Sequence, residues 1–205
     1  TVAARMPTPS QTTPAVQSQT KPPQQQSQPE PQPTTVEPAP TVEPPPPLII
    51  PSCAVLNPVA QERTDKFVNG YPYGGIIHGD VGTSSFSQLF GPAAVTAFGQ
   101  STQAIGCAYP IHLEAGMEFF AAELAEAPRA ALIAALRADG DFVETQHGNA
   151  LVFTWKREVV NGHSAAIYFD HTFLDHAWIA SVGPYEPQVY ALPAIDGMRA
   201  ANPQL

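Results

Sequence analysis

Residues 142–182 read FVETQHGNALVFTWKREVVNGHSAAIYFDHTFLDHAWIASV, and the period of this stretch decides the fold. Leu151, Phe153 and Trp155 alternate with Val152, Thr154 and Lys156, the two-residue repeat of a half-buried strand. Phe142 to Gln146 reads as the strand before it, with His147-Gly148-Asn149 as the turn between. Asn161-Gly162 is the strongest local signal, because a tight hairpin needs positive φ there. The returning strand is His163 to Asp170, with Ile167 and Phe169 on one face, and Ala177 to Val182 completes an antiparallel meander.

Upstream of Gly140 the period is helical. Leu132, Ile133 and Leu136 form a buried stripe opposite Arg129 and Arg137, Pro128 suits the first turn, and Gly140 suits the C-terminal cap. Met117, Phe120, Ala121 and Leu124 fall at i, i+3, i+4 and i+7, which predicts a second amphipathic helix with Glu118, Glu123 and Glu126 outward. Leu89, Phe90, Ala93, Ala94, Ala97 and Phe98 predict a third helix, stopped at Gly99. Ile105 to Leu113 reads as a strand carrying Cys107 into the core. Residues 53–87 are broken by Pro58, Gly70, Pro72, Gly74, Gly75, Gly79 and Gly82 and read as loop, with a short helix around 59–67. The Pro- and Ala-rich tail packs loosely or forms a last helix near 193–201. The expected class is α+β, an antiparallel β-meander with helices packed on one face.

The first 52 residues are a different polymer. They hold 15 of the 24 prolines, eight glutamines and none of the 18 aromatic residues. So little apolar surface cannot offset the entropy of ordering, which predicts a disordered Pro/Gln-rich stalk over residues 1–50 and one globular domain over 51–205. As polyproline II, 50 residues would reach roughly 150 Å, and as a flexible coil roughly 40 Å. An ordinary interdomain linker has the same composition. The chain starts at Thr1 without Met, so a signal peptide or single membrane helix is expected upstream.

Charge narrows the partners. The residues after 52 carry seven Lys or Arg against 15 Asp or Glu, which argues against nucleic acid and anionic lipid. The membrane is expected to be reached only through the upstream anchor. Cys53 and Cys107 are the only cysteines, and an even count beside an extracytoplasmic stalk favours one disulfide over two free thiols.

Four short stretches are shared in style with a known group: Cys53-Ala54-Val55-Leu56, Phe90-Gly91-Pro92-Ala93-Ala94, Cys107-Ala108-Tyr109 and Trp178-Ile179. With them the chain resembles secreted domains of unknown function from actinobacterial envelopes. The resemblance implies a disulfide-bonded extracytoplasmic domain after a signal or anchor, and brings no activity with it.

Three clusters carry candidate chemistry. Asp170-His171-Thr172-Phe173-Leu174-Asp175-His176 packs two histidines and two carboxylates into seven residues, so His171, Asp175 and His176 are candidate ligands for a divalent metal. His78 and Asp80, with Ser84 or Ser85, supply the residue types of a serine hydrolase, although no Gly-x-Ser-x-Gly elbow is present. Tyr71 and Tyr73 on a Gly/Pro turn, beside His78 and Asp80, are candidate ligand-binding residues for a glycan or peptide, and Tyr185 and Tyr190 suggest a second such loop. The leading expectation is a monomeric, cofactor-free binding domain of the cell envelope whose partner is a protein, a glycan or a small ligand. The alternatives are a metal-assisted or serine hydrolase and a structural module of a surface assembly.

Overall fold

Phe119, Phe120, Ala121 and Ala122 are four consecutive residues with at most 1% exposure, which an extended strand achieves only when both faces of its sheet are covered. The computed structural model, which describes residues 46–71, 74–113, 115–160 and 164–205, has that arrangement. Its elements run α1 (Cys53–Leu56), α2 (Pro58–Gly70), β1 (Gly79–Asp80), α3 (Phe86–Leu89), α4 (Pro92–Phe98), β2 (Ala104–His112), β3 (Ala115–Glu123), α5 (Glu126–Asp139), β4 (Val143–His147), β5 (Ala150–Val160), β6 (Ser164–Leu174), β7 (Ala177–Gly183) and α6 (Pro187–Ala201). The strands form one antiparallel sheet in the order β1-β2-β3-β7-β6-β5-β4.

The class is α+β, but the helices lie on both faces. On one face Leu56, Ala60, Tyr190, Ala194 and Met198 of α1, α2 and α6 pack on Tyr109, Phe119, Val152 and Ile179. On the other, Phe86, Ala94, Leu132 and Leu136 of α3, α4 and α5 pack on Phe120, Phe153, Phe173 and Trp178. The segment expected to be a helix at Met117–Leu124 is strand β3. Its i, i+3, i+4, i+7 apolar set is real, yet Phe119 and Ala122 fill the gaps, and an apolar run without a polar phase suits a doubly covered strand equally well. Glu118 lies in the middle of β3, Glu123 ends it, and Glu126 opens α5.

Other expectations hold in outline. Gly140 caps α5 at φ +82°, a left-handed conformation that glycine adopts without a Cβ clash. The β4–β5 turn is Gly148-Asn149, with φ +62° at Gly148. Asn161-Gly162 lies outside the described residues, and the register Val160↔Ser164 brackets it. The returning strand runs four residues beyond Asp170, to Leu174. The third expected helix is two pieces, α3 and α4, split at Phe90-Gly91.

The short helix expected around 59–67 is the 13-residue α2, and the stretch otherwise expected to be loop also carries α1. Asn57, fully buried, caps α2: its Oδ1 accepts from the Ala60 N–H at 3.1 Å, and its Nδ2 donates to the Tyr190 carbonyl of α6 at 2.9 Å. The Cys53–Cys107 disulfide joins α1 to β2, with Cα atoms 5.6 Å apart. It points to an oxidising, extracytoplasmic setting. Among the described residues no helix is long and apolar enough to cross a membrane.

Packing starts before Cys53. Leu48 is 3% exposed, the Ile49 N–H donates to Asn202 Oδ1 at 2.7 Å, and Asn202 Nδ2 donates back to the Ile49 carbonyl at 2.8 Å. Burial at Leu48 and the hydrogen bonds of Ile49 put packed chain a few residues before the expected boundary at 50/51. The tail is tightly packed, since α6 buries Tyr190, Ala191, Ala194, Ile195, Gly197 and Met198. Gly197 sits against α1 so closely that an added Cβ would overlap the Val55 and Leu56 carbonyl oxygens and lie 2.7 Å from the Leu56 carbonyl carbon. Gly197→Ala is therefore expected to cost about 3 kcal/mol, read as a drop in the urea midpoint at unchanged m-value. Wild-type stability in that variant would rule out the close α1–α6 contact.

Candidate functional site

In the glycine-rich segment the side-chain hydrogen bonds of His78 and Asp80 are local. His78 is exposed, with Nδ1 2.9 Å from the Ile76 carbonyl, and Asp80 Oδ1 accepts from the Gly82 N–H at 2.9 Å. Ser84 is exposed, while the Ser85 hydroxyl donates to Glu118 Oε2 on β3 at 2.7 Å. Among the described residues no hydrogen bond joins Ser84 or Ser85 to His78, so the serine-hydrolase set is not assembled. Tyr71 follows α2 with its ring 5.8 Å from Phe67. Tyr73 lies outside the described residues. Tyr185 and Tyr190 contact each other at 5.2 Å, and Tyr190 is a core residue of α6 instead of a loop residue.

The 170–176 cluster is divided by its own backbone. Strand alternation sends Asp170 and His171 to opposite faces, and Asp175-His176 forms the two-residue turn into β7, with Asp175 at φ +49°. Asp170 is 4% exposed and accepts from Thr154 Oγ1 at 2.7 Å and Ser181 Oγ at 3.3 Å. Burial pushes its carboxyl up to about 6, and the two hydroxyls oppose that rise. His176 Nδ1 lies 3.0 Å from Asp175 Oδ2, and its Nε2 lies 3.8 Å from Glu123 Oε1. Glu123 is held below the usual carboxylate range first by the Thr102 hydroxyl, then by Gln103 and His176. His171, Asp175 and His176 therefore do not converge, and no group of three His, Cys, Asp or Glu able to hold a metal occurs among the described residues.

His171 belongs to a different site. It is 2% exposed, and burial pushes its imidazole down to about 3, so it is neutral at physiological pH. Its ring stacks on Trp178 at 5.7 Å, and its Nδ1 is buried with no hydrogen-bond partner. It lines a cavity of about 130 Å³ with Phe90, Phe142, Trp155 and Phe169, and with Asp139 and Asp141. Each wall has a clear origin. Trp155 and Phe169 are directly paired across β5 and β6, and Phe169 and His171 are two apart on β6, so these three form a floor on one face of the sheet. Phe90 comes from the α3–α4 break, and Phe142 from the link after the Gly140 cap.

The five rings make a closed circuit of neighbours. Centroid separations are 5.3 Å for Phe90–His171, 5.4 Å for His171–Phe142 and 6.1 Å for Phe142–Trp155. They are 5.0 Å for Trp155–Phe169 and 6.3 Å for Phe169–Phe90. The floor was readable only as two alternating strands, because a two-residue turn at 161–162 sets residue 155 opposite 168, whereas the observed partner is Phe169. The walls were not readable, because Phe90 and Phe142 come from outside the hairpin. A larger, apolar cleft of about 490 Å³ lies at the strand ends between Ile77, Met117, Ile167 and Val182, with Glu118 at its side. A polar groove of about 440 Å³ separates Thr145, Lys156 and Tyr168 from the start of α6.

No family model, curated protein or solved structure matches this chain.

Proposed function

We propose that this chain is a non-enzymatic, extracytoplasmic domain of the cell envelope that binds a small ligand group in the five-ring cavity between the sheet and the α3–α5 layer. The cavity carries the reading. Its lining combines aromatic surface with a few polar groups, the composition of small-molecule sites, whereas a packed core of this chemistry would leave no such space. The disulfide, the proline- and glutamine-rich leader and the resemblance to secreted actinobacterial domains support the setting. A stalk of that composition would hold the cavity away from the surface to which the chain is attached.

Trp155 lines the cavity, whereas Trp178, the other tryptophan, is 1% exposed in the core. Ligand occupancy is therefore expected to change Trp155 fluorescence. A fragment library screened against the full chain should yield ligands that shift this emission, raise Tm, and lose both effects in Phe142→Ala. A library of several hundred small aromatic, neutral and charged fragments with no such hit would sink the reading.

A further inference from the structure

We infer that the five-ring cavity is a site for a small alkylated ammonium cation, an inference that rests on the binding role proposed above. Geometry comes first. A regular five-membered circuit with sides of 5.0–6.3 Å has its centre roughly 5 Å from each ring centroid, within the roughly 6 Å at which a cation and an aromatic ring attract. Size agrees: an apolar cavity of about 150 Å³ takes a benzene, so 130 Å³ takes a head group such as tetramethylammonium.

The ionisable residues that line the cavity carry no positive charge. Its ionisable lining is Asp139, Asp141 and the neutral His171, with no Lys or Arg among the lining residues. Among the described residues neither Asp139 nor Asp141 has an ion-pair partner, and Asp139 Oδ1 meets only the Asp141 N–H at 3.4 Å. Asp139 also ends the 14-residue α5, whose C-terminal carbonyls add partial negative charge beside the mouth. Arg157, outside the lining, sets its guanidinium 5.1 Å from the Phe169 ring and 5.8 Å from Trp155, so a cation in the cavity shares these two rings with it and relies on Phe90, Phe142 and the two carboxylates for the rest of its attraction.

The unpartnered Nδ1 of His171 is the second, independent pointer. A buried polar atom without a hydrogen bond has a cost, and here it sits on a ring that forms the cavity wall. In the neutral tautomer that leaves Nδ1 unprotonated, it accepts a hydrogen bond from an ammonium that retains an N–H. A fully methylated ammonium would instead rely on the rings and the two carboxylates.

Titrations of the full chain with tetramethylammonium, choline and a trimethyl-lysine peptide, followed by Trp155 fluorescence and calorimetry, test this. At least one of the three is expected to bind. A preference for choline identifies a free small molecule as the source of the head group, and a preference for the peptide identifies a partner's side chain. The uncharged carbon analogue of choline, 3,3-dimethyl-1-butanol, is expected to bind at least about tenfold more weakly. Asp139→Asn combined with Asp141→Asn, both exposed positions, should weaken the cation about tenfold and leave the neutral analogue unchanged. Equal binding of choline and its neutral analogue would overturn the cation assignment while leaving a binding cavity. Fragment hits without any cation binding would do the same. An affinity for cations that survives both the double substitution and Phe142→Ala would place them elsewhere on the protein and overturn the site.

Discussion

Replacing both Cys53 and Cys107 by alanine is expected to lower the unfolding free energy by about 4 kcal/mol, the loop-closure value for a 54-residue separation. The effect should be global. Cys53 lies in α1, which packs on α6, and the Tyr109 hydroxyl of β2 donates to the Cys53 carbonyl at 2.6 Å, so the disulfide ties the first helix to the sheet beside a buried hydrogen bond. Tyr109 is fully buried and its hydroxyl is pushed well above its ordinary value by burial, so the donor keeps its proton at any physiological pH. Equilibrium urea unfolding of the double variant against the wild type gives the number directly. A difference below about 1 kcal/mol would mean that the disulfide adds little to contacts already formed. The reduced wild type should behave as the variant does, which separates the bond itself from packing lost with the sulfur atoms.

The parts of this fold that were legible in the amino-acid sequence are those specified locally. Strands β5 and β6 follow from alternation on either side of a turn signal, although three residues separate the paired Val160 and Ser164 where two were expected, and α5 follows from its apolar stripe and Gly140. The pairing of the cysteines followed from their number. What could not be read is whatever depends on a second covering layer. Residues 117–124 satisfy a helical template and a buried-strand template together, and only the presence of helices on both faces selects the strand. Likewise Asn57 reads as one more polar residue in a broken stretch. Its role as the cap of α2 needs the Tyr190 carbonyl of a helix 133 residues away.

The candidate site divides in the same way. Clustering in sequence suggested a metal at 170–176, but a strand separates neighbours and joins residues far apart in number. His171 therefore meets Phe90 and Phe142, not His176. Glycine and tyrosine at 70–75 drew attention as a recognition loop, whereas the aromatic rings that enclose a cavity come from four separate segments of chain. Aromatic composition alone does not distinguish core rings from cavity rings, because the difference lies in how completely the helical layer fills the space above them.

The adjacent pair Asp170 and His171 is expected to give opposed pH dependences that nearly cancel in the wild type and separate on mutation. His171 titrates near 6.5 when unfolded and near 3 when folded, so below pH 6.5 the unfolded chain binds a proton that the folded one refuses. Its contribution is present above 6.5 and is lost as pH falls towards 3. Asp170 has the opposite sign: its ordinary value of 3.8 rises to about 6 in the fold, so between those limits the folded state holds the extra proton. Stability from that group is fullest below 3.8 and falls as pH rises to 6. Between about pH 4 and 6 each slope reaches about 1.4 kcal/mol per unit, in opposite directions. Asp170→Asn removes one of them. It can still accept from the Thr154 hydroxyl, it should gain about 3 kcal/mol at pH 7, and it should lose stability steeply as pH drops below 6. His171→Phe removes the other and should instead become less stable as pH rises from 4 to 6. Urea unfolding at pH 4, 5, 6 and 7 measures all three proteins, and subtracting the wild-type curve cancels the exposed carboxylates common to them. Variant curves that run parallel to the wild type would show that neither group is held away from its ordinary protonation. Slopes of opposite sign would establish that this one strand buries an acid on one face of the sheet and a neutral base on the other.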